Sequence, residues 1–169
     1  MKFTNLFSLF FILIVTSQSY GQNQKIAFVD VDQVLPNMTE YKAAKSELES
    51  YKNILKKQLE GDQSKAQQYY SEVMKKVQEG SLSPAQQKIE EDKLMKMQEE
   101  LQKKASKAEE DIIAKEQELT KPMYEKFNEA LKSIAKSSNY AYILDKKLLL
   151  YSEGGEDATQ KLKTALGVQ

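Results

Sequence analysis

Apolar or small residues recur through the middle of the chain at Tyr41, Ala44, Leu48, Tyr51, Leu55, Leu59, Ala66, Tyr70, Val73 and Val77, with polar Asp62 filling one step. Thirty-six residues in ten steps is 3.6 per step. That is the period of a straight α-helix with one apolar stripe, not of a 3.5-residue heptad. A second stripe runs through Met97, Leu101, Ala105, Ala108, Ile112, Leu119, Met123, Phe127, Ala130 and Ile134, with Glu116 filling a step. Each stripe finds its partner in the other, which predicts a long antiparallel helical (coiled-coil) hairpin over 41–137. The punctuation between them is Gly80-Ser81-Leu82-Ser83-Pro84. Gly80 can take the positive φ that ends a helix, Ser83 can cap the next one, and Pro84 suits a first helical position, where its missing N–H costs nothing. At about 1.5 Å per residue, the limb from Tyr41 to Glu79 is on the order of 60 Å long.

Short β-type runs flank the hairpin. Residues 25–31 alternate, with Ile26 and Phe28 on one face and Ala27, Val29 and Val31 on the other. Residues 140–144 and 148–151 read as two further strands across a turn at Asp145-Lys146-Lys147, and a short helix from about Asp157 turns Leu162, Ala165 and Leu166 inward. The expected fold is therefore mainly α with a small β body, formed by 22–40 and 138–169, and the hairpin inserted between its strands. Only 48 residues, 25–40 and 138–169, lie outside the hairpin. A body of that size is marginal alone, and without Cys or His neither disulfides nor His/Cys metal sites can staple it. Association through the strands remains, with Ile26, Phe28, Val29, Val31, Tyr140, Tyr142, Ile143, Leu148, Leu149 and Leu150 as the candidate oligomerisation residues.

Two positions interrupt the arm. Gly61 costs about 1 kcal/mol of helix propensity relative to Ala and is a candidate flexing point, while Pro122 removes one ladder bond and predicts a kink. Other apolar residues lie off the stripes: Ile54, Tyr69, Met74, Leu94, Met95 and Ile113. Folding about Leu82 brings Tyr69 level with Met95, and Ile54 nearly level with Ile113. These side chains either broaden the hairpin core or form a dispersed surface for binding other chains, a role that flexible, polarisable Met suits.

Residues 1–21 read as a cleaved export signal, with Lys2 ahead of an apolar run from Leu6 to Val15 and small residues at Ser19 and Gly21. That run is shorter than the roughly 20 residues a membrane span needs, and no second one follows. The chain has equal numbers of basic and acidic residues, and every basic residue is Lys. With Lys2 removed, acids outnumber lysines by one, so no basic excess points to nucleic acid. No His, Cys or Arg is available for catalysis, and none of the six glycines forms a nucleotide-binding loop. Asp30, Asp32 and Asp145 read as capping or solvated groups rather than an acid–base pair or calcium site. No catalytic residue, metal or cofactor is expected.

In order along the chain, IAFVDVDQVL, the polar hairpin, KPMYEKFNEALKSIAKSSNYAYILD and EDATQKLKTAL resemble the Skp/OmpH family of periplasmic chaperones. The resemblance covers essentially all of the chain beyond the signal, and the stretch with Pro122, Tyr140 and Asp145 looks most like members that carry a Pro before the last helical segment. It implies a homotrimer in which strands of three chains build a barrel and three hairpins surround a cavity. It also implies ATP-independent holding, in the periplasm, of unfolded outer-membrane β-barrel proteins. The near-neutral charge departs from the strongly basic best-known members, which weakens the case for electrostatic capture of acidic clients or lipopolysaccharide. The alternative reading is an exported structural adaptor whose arms dock one fixed partner.

Overall fold

The computed structural model describes residues 24–168, so the expected signal, residues 1–21, lies outside them. The chain opens with strand β1 (Lys25–Val29), a one-turn helix α1 (Val31–Val34) and a 3-10 turn (Leu35–Asn37). Two long helices follow, α2 (Thr39–Gln78) and α3 (Pro84–Ser138). Strand β2 (Tyr140–Asp145), a 3-10 turn (Lys146–Leu148), a two-residue strand β3 (Glu156–Asp157) and helix α4 (Thr159–Leu166) complete it.

The turn between the long helices carries the chemistry that the sequence predicts. Gly80 has φ 63°, and the N–H groups of Gly80 and Ser81 return to the carbonyls of Val77 and Lys76, closing α2 with a left-handed residue. Ser83 caps α3: its hydroxyl accepts from Gln86 N, while the Gln86 side chain accepts from Ser83 N at 2.8 Å. Asn139, at φ 55°, ends α3 in the same left-handed conformation.

Cross-helix pairs run in opposite order along α2 and α3. Glu40 accepts from Lys126 at 2.5 Å, Glu47 meets Lys115 at 2.9 Å, Asp62 meets Lys104 at 2.6 Å, and Tyr69 donates to Glu90. The stripes are half-buried or buried along this seam, with two shifts. Tyr69 rather than Tyr70 takes the step between Ala66 and Val73, leaving Tyr70 exposed. In α3 the polar step is Lys115, half-buried as it reaches Glu47, and not Glu116. Both follow from 3.6-residue geometry, where a step of three or four residues is decided by the partner face. Helix α2 runs unbroken through Gly61, and α3 through Pro122.

The sheet has order β2-β1-β3 and is parallel throughout. Parallel neighbours need a long crossover, and for β1 and β2 the whole α2–α3 pair is that crossover. Two expectations fail here. Residues 148–151 do not form a strand: the Asp145 carboxylate accepts from Lys147 N at 3.0 Å and winds the chain into a 3-10 turn. The third strand is Glu156–Asp157 instead, joined to β1 and extended by a bond from Ala158 N to Phe28 O at 2.9 Å. Val31 leaves the strand as well, because Asp30 caps α1 by accepting from Gln33 N. Within one chain the sheet is open, with no closed barrel among the described residues.

One core joins these parts. Ala27 and Val29 from β1, Val34 and Met38, Met123, Phe127, Ala130 and Ile134 from α3, Tyr140, and Ala158, Leu162 and Leu166 at the C-terminus pack together. The last four turns of α3 therefore belong to this core, which a body confined to 22–40 and 138–169 leaves out. With these turns included, size alone no longer demands a partner.

Candidate functional site

Two exposed apolar regions stand out, one on the long helices and one on the sheet. On the helices, Ile54, Met74, Met95 and Ile113 are exposed, the surface alternative for these off-stripe residues. Tyr69 and Leu94 are instead half-buried at the seam. The Tyr69 hydroxyl donates to Glu90 and Lys93 Nζ stands 4.2 Å above its ring, so this tyrosine helps hold the two helices together. Its neighbour Tyr70 lines a groove of about 690 Å³ with Ala66, Leu94, Met95, Met97 and Leu101. Ile89 and Tyr124 are exposed too. Sequence reasoning missed Tyr70 and Ile89 as surface residues. The Tyr69-Tyr70 pair fits the stripe in either register, and Ile89 lies outside the second stripe, which begins only at Met97.

A second, more polar recess of about 500 Å³ lies beside Gly61 and is lined by Leu55, Asp62, Lys104, Lys107 and Asp111. Asp62 is held below the ordinary carboxylate range by the hydrogen bond from Lys104, and Lys104 is correspondingly raised. A Cβ built on Gly61 would meet nothing within 4 Å. The glycine is thus not there to admit a neighbour.

On the sheet, the predicted oligomerisation residues divide. Val29 and Tyr140 are buried in the chain's own core, and Val31 and Ile143 pack against it. These four have little surface left to offer. Phe28 faces the other way but is buried: Gly155 folds over it so closely that a Cβ there would stand 3.2 Å from the Phe28 ring. The remaining members are open. Ile26 pairs in register with Tyr142 and Phe28 with Leu144, placing exposed Ile26, Tyr142 and Leu144 on the uncovered face. Leu148, Leu150 and Tyr151, in the segment that follows β2, are exposed too, with Leu149 half-buried between them. Leu144 and Tyr151 were absent from the predicted set, although alternation from Tyr142 points to Leu144.

A polar clasp closes the end of the sheet. Lys161 Nζ donates to Glu156 at 2.7 Å and to the Tyr140 hydroxyl at 2.8 Å, and Lys25 stands 3.7 Å from Glu156. Lys161 above all, then Tyr140, hold the Glu156 carboxyl down to about 2. The three aspartates near the strand ends are engaged structurally. Asp30 caps α1, Asp145 caps its 3-10 turn, and Asp32 pairs with Lys147. Among the described residues no acidic group of three or more is arranged to hold a metal ion, and no helix is long and apolar enough to cross a membrane.

The family model for "Outer membrane protein (OmpH-like)" matches residues 25–166, from β1 to the last residue of α4. The chain belongs to the OmpH-like family. A crystal structure of a protein from Caulobacter crescentus CB15, described as an outer membrane chaperone (OmpH-like), is similar in fold. Its TM-score is 0.72 over 85% of this chain and 83% of that one, at 14% identity. Identity that low speaks for the fold alone. A search of curated proteins finds no match. For this OmpH-like chain, then, the shared features are the pair of long helices and the sheet that receives them.

Proposed function

We propose that this chain is an exported, ATP-independent holdase that keeps unfolded outer-membrane β-barrel proteins from aggregating. The α2–α3 pair is an antiparallel hairpin arm. Three copies join through the open sheet face and the segment from Leu148 to Tyr151, closing a barrel from which the arms project around a shared space in the periplasm. Family membership and the fold similarity support a chaperone role. The observation that carries the reading is the division of exposed apolar side chains between the arm and the uncovered sheet. A single partly exposed Met or Tyr burying about 40 Å² contributes about 1 kcal/mol, too little to hold a chain. Many such contacts around one enclosed space hold a client while leaving it mobile and releasable without nucleotide.

Native mass measurement and aggregation assays test the two halves separately. The mature protein is expected to be a trimer and to suppress aggregation of a urea-unfolded outer-membrane β-barrel at roughly one trimer per client. A monomer overturns the assembly, and a trimer without suppression overturns the holdase role. Serine substitutions at Ile54, Met74, Met95 and Ile113 are expected to weaken capture in graded steps. All-or-none loss of one specific partner would instead favour a fixed adaptor.

A further inference from the structure

Cysteine, tryptophan and histidine are absent from this chain, so its methionine thioethers are its most readily oxidised side chains. They are not distributed evenly. Met38 and Met123 lie in the body core at 0% and 2% exposure. Met74 and Met95 stand on the distal half of the long helices at 38% and 58%, and half-buried Met97 lines the same groove as Met95. Burial shields the two sulfurs whose oxidation would force a polar group into the core. Exposure presents the two whose oxidation changes only the surface.

We infer that Met74 and Met95 form a redox modification site, and that their oxidation by a peroxide-class oxidant loosens the grip on unfolded chains while the fold is kept. The inference rests on the holdase reading above. A sulfur lone pair attacks one peroxide oxygen, an S–O bond forms as the O–O bond breaks, and the departing hydroxide takes the proton of the transferred oxygen to leave as water. Each sulfur is oxidised by two electrons and gains one oxygen; the peroxide is reduced by two. The product sulfoxide replaces a flexible apolar contact with a strong hydrogen-bond acceptor that prefers water to an apolar client side chain.

The test treats the mature protein with mild hydrogen peroxide and follows each methionine by peptide mass, alongside thermal unfolding and capture of a urea-unfolded outer-membrane β-barrel. Met74 and Met95 are expected to gain oxygen well before Met38 and Met123. Capture is expected to weaken roughly tenfold, with the unfolding transition unchanged. Capture by the double variant Met74→Leu with Met95→Leu, whatever its level before treatment, should not change in peroxide. A methionine sulfoxide reductase supplied with a dithiol should restore the oxidised wild type. Equal capture before and after oxidation of both residues overturns the inference. So does loss of capture that tracks oxygen on Met38 or Met123, or loss that the double variant shares. Failure of the untreated protein to capture overturns the holdase reading instead.

Discussion

The body and the arm are built from the same kinds of residue but are held in different ways. In the body, side chains from β1, α1, α3, β2 and α4 converge on one dry core, with Val34, Met38, Met123 and Leu162 fully buried. In the arm beyond Leu48, only Val73 and Ala108 are buried. The rest of the stripe is half-covered by a single partner helix, and Lys104–Asp62 and Lys115–Glu47 bridge its edges. The body's stability is therefore concentrated in a few positions and the arm's is spread thinly over many. A thinly held arm can carry exposed Ile, Met and Tyr without endangering the fold.

The largest expected effect separates the two regions directly. Phe127→Ala empties part of the core and should cost about 3–5 kcal/mol in urea unfolding. Leu59→Ala, at a half-buried arm position, should cost about 1 kcal/mol, because only part of its apolar area is lost. Equal costs would show that the arm is packed as tightly as the body. Next in size is Gly61→Ala. The added methyl meets no neighbour and removes a helix penalty of about 1 kcal/mol, so the variant should gain about that much. If Gly61 is the flexing point, spin-label distances between arms of the proposed trimer should also narrow on the tip side of residue 61; unchanged widths would locate the bending elsewhere, with Pro122 the next position to probe.

The smallest effect concerns the clasp at the sheet end. Glu156 titrates near 2 in the folded chain against an ordinary value of 4.5, chiefly because Lys161 donates to it. A depressed carboxyl stabilises the fold above about pH 4.5, and that contribution is lost as pH falls toward 2. Glu156→Gln should flatten this acid limb of the stability profile and leave stability near pH 7 only slightly lower, since the pair is exposed to solvent. An unaltered acid limb would mean that Glu156 does not contribute to it.

The arm was legible in the sequence because every signal for it is local. A stripe of constant period, Gly80 at the end of one helix and Ser83-Pro84 at the start of the next can each be read within a few residues. The sheet was not, because strand identity depends on what lies alongside. The run Leu148–Tyr151 has strand composition but no strand beside it in its own chain, whereas Glu156-Asp157 looks like a loop and becomes a strand because β1 lies next to it. The same non-locality hid the contribution of Met123 to Ile134, which read as arm until the body was seen packed on them. In the candidate site, off-stripe spacing picked out Ile54, Met74, Met95 and Ile113 but left core and surface open; these four are exposed. Tyr69 and Leu94 follow the other alternative, half-buried at the seam among neighbours on the opposite helix.

The parallel pairing of β1 with β2 also dictates an order of events. A newly made chain presents Lys25–Val29 first, yet Tyr140–Asp145 arrives only after both long helices have been made. Until then the apolar edge of the first strand is unprotected, and contacts so distant in sequence form slowly. The early winding of the long helices, which needs only near neighbours, shortens the search by bringing the two ends together.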